Sequence, residues 1–144
     1  AAGALQDGAR DDLRRVHVEA VRGLLGALAG TQARLVQVSA EGAAPDAATA
    51  FLRTKAEGDR LVMASGLDWV VLRPALVLAP DAHGGTALLR AAASVPLVEG
   101  RALAEAPVRT VWVGDVAAAV ARAVRGEVPS GTVADLCDRE ARPL

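Results

Sequence analysis

An α/β fold around a mainly parallel sheet is the class this sequence predicts, and three observations predict it. Short apolar runs of strand type alternate with segments of helical spacing along the chain. The composition is 52% hydrophobic but only 2% aromatic, so the core must be built of Ala, Val and Leu, whose short side chains suit close helix-on-sheet layers. The length of 144 residues fits one domain, 1–144.

The elements follow in order. Asp11 to Ala29 reads as a helix, capped by Asp11 or Asp12, with Leu13, Val16, Val21, Leu24, Leu25 and Leu28 at helical spacing. Arg34 to Ser39 reads as a short buried strand, and Ala40 to Pro45 as a turn of small residues. Asp46 is the expected cap of a second helix that runs to about Ser65 and stops at Gly66. Asp68 to Arg73 is the next strand, stopped by Pro74, and Leu76 to Gly85 a loop. Thr86 to Ser94 reads as a helix, Val108 to Val113 as a strand, and Asp115 to Val124 as a helix ended by Gly126. Thr132 to Leu136 closes as a strand.

Charge and composition exclude several classes. The net charge is −1 with no basic run, which argues against nucleic acid as a partner. A single cysteine, Cys137, rules out an internal disulfide and fits a reducing, cytoplasmic setting; it has no soft ligand nearby, so no metal site is expected. No apolar run is long enough to span a membrane, and no signal peptide is visible. The chain starts at Ala1 and its only methionine is Met63, so it is expected to be a processed product or a fragment.

Two patterns invite a functional reading and have a plainer one. Gly23, Gly26 and Gly30 resemble a phosphate loop, but a dinucleotide fingerprint needs a strand before the glycines and a helix after them. Here the helix comes first, so close helix packing and a stop at Gly30 explain them. His17, a lone histidine on a helix, is either a packing residue or a catalytic one.

The sharper signal is a lysine. Of sixteen basic residues only Lys55 is not arginine. It is either a solvated residue on a helix surface or one that arginine cannot replace, because lysine is a compact, flexible point charge and arginine a wide planar fork. Phe51 lies four residues earlier, on the same helix face. Ser39 ends the preceding strand, and ligands of open α/β sheets sit at the carboxyl ends of strands. Ser39, Lys55 and the loop after Pro74 are therefore expected to line one crevice.

In this order the chain resembles the atypical short-chain dehydrogenase/reductase superfamily. The match is a strand ending in Ser39, the helix Phe51-x-x-x-Lys55, a strand ending Leu72-Arg73-Pro74, and Val111-Trp112-Val113-Gly114-Asp115-Val116-Ala117. The order and spacings resemble those of its nucleotide-sugar epimerase and quinone-oxidoreductase-like members, and most of all the NAD(P)-binding proteins related to a complex I accessory subunit; NmrA-like regulators are relatives with a tyrosine-free site. The resemblance implies a Rossmann-like, doubly wound, mainly parallel sheet that binds NADP or NAD. It implies cofactor contacts at Lys55, Ser39, Pro74, Ala75, Leu76 and Val77, and catalytic roles for Lys55, Ser39 and His17. The chain departs from the family in having no tyrosine; Phe51 stands where the proton donor is expected. The family's asparagine position falls on His17, and Ser39 aligns either with the catalytic serine or with the residue before it, leaving Ala40 there.

The resemblance also places Ala1 near the end of the family's fourth strand. The expectation is the C-terminal part of a longer domain lacking its N-terminal βαβ part, with the missing half supplied by another segment, a partner or a homo-oligomer. Three functional readings follow: an atypical oxidoreductase acting on a small molecule, a non-catalytic cofactor sensor or assembly subunit, and an α/β domain whose lysine is incidental. The Ala-rich segment Leu76 to Glu105 points to an apolar or quinone-like substrate.

Overall fold

In the computed structural model, residues 12–80, 107–138 and 142–143 are described. The expected helix Thr86–Ser94 lies outside them. A helical segment beginning at Leu13 includes a π-helical stretch, Arg15–Glu19, and runs on as α1, Ala20–Leu28. Then come β1 (Arg34–Val38), α2 (Ala50–Met63), β2 (Asp68–Pro74), β3 (Leu76–Leu78), β4 (Pro107–Val108), β5 (Thr110–Trp112), α3 (Val113–Val124), β6 (Thr132–Leu136) and β7 (Arg142–Pro143).

The main sheet is parallel, in the order β1-β2-β6. Arg34 pairs with Asp68 and Val38 with Leu72 at the two ends of the first ladder; Val70 pairs with Thr132 and Pro74 with Leu136 in the second. A second parallel pair joins β3 to β5, and β4 pairs antiparallel with β7. Alternation along the strands divides the main sheet into two faces. Val36, Val70, Leu72, Ala134 and Leu136 pack with Ala119, Val120 and Ala123 of α3. The residues between them in sequence, Gln37, Ser39 and Arg73, meet α2 on the opposite face. Helices on both faces make the sheet doubly wound. β1 is an edge of the main sheet among the described strands, and none of its residues is buried.

Asp12, one of the two expected caps, opens the first helix, its Oδ1 accepting from Arg15 N at 3.0 Å. The element boundaries depart from the sequence expectation in three places. The second helix is capped by Thr49, whose hydroxyl accepts from Leu52 N at 3.2 Å; Asp46 lies in the preceding turn. Pro74 does not stop the chain's extended run. It ends β2, and Leu76–Leu78, expected in a loop, form β3 instead, because β5 offers a parallel partner that local sequence cannot reveal. The expected strand Val108–Val113 is two short strands broken at Arg109, and α3 starts at Val113 with Asp115 in its first turn.

The glycine run is helical, as its order required. Gly30, at φ +76°, provides the left-handed stop, a conformation glycine adopts without strain. The expected close packing is absent: a Cβ on Gly23 or Gly26 would meet nothing within 4 Å. The close contact is elsewhere, at Gly58, where a Cβ would stand 2.4 Å from the backbone oxygen of His17.

Candidate functional site at the carboxyl ends of β1 and β2

The register that brings Val38 beside Leu72 sets the carboxyl ends of two strands side by side, and α2 crosses behind them. Lys55, half-buried on α2, donates from Nζ to Val38 O at 3.2 Å. Its ammonium also stands 5.9 Å from the centre of the Phe51 ring, within cation–π range. Burial pushes the Lys55 pKa down, and the charge of Asp59 one turn on opposes that shift.

His17 and Phe51 meet edge to face, with ring centres 5.5 Å apart. The buried imidazole also bonds through Nδ1 to Thr54 Oγ1 at 2.9 Å. The Thr54 hydroxyl is also within hydrogen-bond distance of Phe51 O, at 3.0 Å, and when it donates there His17 Nδ1 is the donor to Thr54 Oγ1. His17, Phe51 and Lys55 therefore form one contiguous group. The histidine is held as a packed, hydrogen-bonded residue.

Ser39 is where the sequence put it, just past β1 and continuing its ladder through Ser39 N to Leu72 O at 2.7 Å. Its side chain is not free. The buried hydroxyl donates to Asp59 Oδ2 at 2.8 Å. The Pro74–Val77 segment is not a free loop either. Pro74 is buried, and its carbonyl accepts from Glu41 N at 2.9 Å. Ala75 N donates to Leu136 O at 2.9 Å and Leu76 N to Arg109 O at 3.2 Å, while Val77 pairs with Val111. These residues hold the edge of the site through sheet pairing.

Asp59 and Arg73 are the residues that sequence reasoning missed. Arg73 donates from Nε to Asp59 Oδ2 at 3.0 Å, and Asp59 is 0% exposed. Burial pushes the Asp59 pKa up, against the pull of Ser39, Arg73 and Lys55. A signal was there: Asp59 lies three residues after buried Ala56 and three before buried Val62, an acid at core-facing spacing. Arg73 also borders two grooves, one of about 640 Å³ against α2 and one of about 520 Å³ that includes Glu41, Arg109 and Asp135. Among the described residues no cluster of side chains could hold a metal ion, and no helix is long and apolar enough to cross a membrane.

No family model matches the chain, and no curated protein is similar to it. Solved structures are. RMD from Pseudomonas aeruginosa, complexed with NADPH, is 18% identical with a TM-score of 0.72 over 99% of this chain and 60% of that one. The Bordetella bronchiseptica enzyme WbmH, in complex with NAD+, is 20% identical with a TM-score of 0.74 over 99% and 52%. UDP-glucuronic acid 4-epimerase from Bacillus cereus, in complex with NAD, is 15% identical with a TM-score of 0.70 over 95% and 53%. The chain thus has the Rossmann-like fold of these structures and spans between half and three-fifths of their length.

Proposed function

We propose that this chain is a nicotinamide-dinucleotide-binding unit of the atypical short-chain dehydrogenase/reductase type, with Lys55 as its cofactor-holding residue. The observation that carries the reading is the place of the ammonium: half-buried, at the carboxyl end of a parallel strand, in a fold shared with structures that hold NAD or NADPH. A lysine there offers three rotatable donors to ribose hydroxyls and one charge to a diphosphate. Val38 O uses one donor, which leaves two for a ligand. Ser39 and the Pro74–Val77 segment frame the same strand ends. The remaining cofactor contacts, the glycine-rich phosphate loop above all, are assigned to a further segment or a partner subunit in one domain with these residues. The lone Cys137 fits a cytoplasmic setting.

The test is a fluorescence titration of NADH and NADPH against the full-length protein and against Lys55→Ala. Loss of the lysine is expected to weaken binding roughly tenfold or more, the scale of a charge-assisted hydrogen bond. Equal affinity of the two proteins would remove Lys55 from the site, and failure of the wild type to bind either cofactor would refute the reading.

A second reading, a cofactor sensor or assembly subunit without catalysis, is favoured by two features. Phe51 has no proton to give to the oxyanion that hydride transfer creates, and Ser39 already gives its proton to Asp59. Under the first reading an apolar or quinone-like molecule is reduced. Under the second the bound cofactor is itself the signal.

A further inference from the structure

Asp59 is the one fully buried carboxylate among the described residues. A buried charge costs stability unless it is paired, and an apolar residue of similar size is often the more stable choice. The pairing here is specific. Oδ2 receives the Ser39 hydroxyl at 2.8 Å and Arg73 Nε and Nη2 at 3.0 Å each, while Oδ1 has no hydrogen-bond partner. Ser39 follows β1, Arg73 precedes Pro74 in β2, and Asp59 is one turn beyond Lys55 on α2. One carboxylate oxygen thus ties the carboxyl ends of two adjacent strands to the helix that bears the ammonium. Lys55 and Asp59 grip consecutive residues of the chain, Val38 through its carbonyl and Ser39 through its hydroxyl.

We infer that Asp59 is a positioning residue: through Ser39 and Arg73 it fixes the ends of β1 and β2 against α2 and so sets where Lys55 stands for the cofactor. The inference rests on the cofactor reading above. Its anionic form is the one that holds Arg73. The groups facing it are Ser39 just past β1, Arg73 from β2 and Lys55 along its own helix. The His17 carbonyl packs beside neighbouring Gly58, and the His17 ring meets the Phe51 ring that the Lys55 ammonium also approaches. Asp59 protonates as pH falls through its raised value, and cofactor affinity falls with it.

The experiment titrates NADH, whose diphosphate does not titrate in this range, against full-length wild type, Asp59→Asn and Val62→Ala. Val62 is equally buried on the same helix and away from the strand ends, so it reports plain loss of packing. Asp59→Asn is expected to weaken binding roughly tenfold, as a small misplacement of a binding group does. Val62→Ala is expected to lower the melting temperature and leave affinity within about twofold. The acid step in the wild-type pH profile should vanish in Asp59→Asn, while any step from His17 persists in both. A folded Asp59→Asn with wild-type affinity and an unchanged pH profile overturns the inference while leaving the cofactor reading intact. Should that variant not fold, His17→Gln decides: a remaining acid step supports the role of Asp59, and a flat profile overturns it. Absence of binding by the wild type refutes the cofactor reading and this inference together.

Discussion

At the scale of single residues, the site is defined by what Phe51 cannot do. Its ring is packed by His17 and approached by the Lys55 ammonium. Phe51→Tyr would bring a hydroxyl to this position. If the protein is an eroded oxidoreductase, that substitution is expected to raise carbonyl or quinone reduction by at least about 10²-fold, the lower range of general acid catalysis, measured as NADPH oxidation over a substrate panel. Unchanged, negligible turnover with cofactor still bound would favour the sensor reading. Lys55 adds a pH limit on the alkaline side. Its pKa is lowered by burial, so the ammonium, and the cofactor affinity it supports, is lost as pH rises through a value below that of an ordinary lysine.

At the scale of elements, the seating of α2 against the π-helical stretch decides the site's geometry. Gly58 makes that approach possible, since any Cβ there would stand 2.4 Å from His17 O. A backbone atom cannot move aside as a flexible side chain can. Gly58→Ala is therefore expected to destabilise by about 2 kcal/mol or more, read as a lower urea midpoint with unchanged slope. The contrast lies on α1. Gly23→Ala meets open space and is expected to stabilise by about 0.5–1 kcal/mol, the ordinary helix preference for alanine. Opposite signs for one chemical change would separate close approach from propensity.

At the scale of the whole molecule, Arg34 fastens the layers at the amino ends of the strands. It donates to both Asp68 oxygens, at 2.8 and 3.0 Å, and from Nη1 to Ala123 O at 2.7 Å and Val128 O at 2.9 Å. β1, β2, the end of α3 and the approach to β6 are thus joined by one guanidinium. The exposed pair Arg14–Glu57 links only two helical segments. Arg34→Ala is expected to lower the melting temperature clearly and Arg14→Ala barely, because exposed ion pairs contribute little. Arg34→Lys should not rescue the loss, since an ammonium cannot span the fork. The effect depends on pH. Asp68 is held below the ordinary carboxylate range, first by Arg34 and then by Ser130. Its stabilising contribution is present at neutral pH and is lost as pH falls through that lowered value, so the Arg34→Ala deficit should shrink in acid.

The sequence by itself determined the α/β class, the strand at Thr132–Leu136, the helix bearing Phe51 and Lys55, and the stop at Gly30, because each rests on local periodicity, capping or glycine's backbone freedom. It also brought Lys55 to the end of β1, since strand–helix order in a parallel sheet leaves few other places for it. Only the tertiary structure decided that Leu76–Leu78 is a strand, that Ser39 gives its proton to Asp59 rather than facing a ligand, and that Arg73 answers a buried charge. Those outcomes depend on partners 14 to 34 residues away, and no spacing rule encodes which distant polar group a buried carboxylate will meet. A strand exists only when another strand completes its ladder, and a buried charge is held only where the fold supplies its counter-charge.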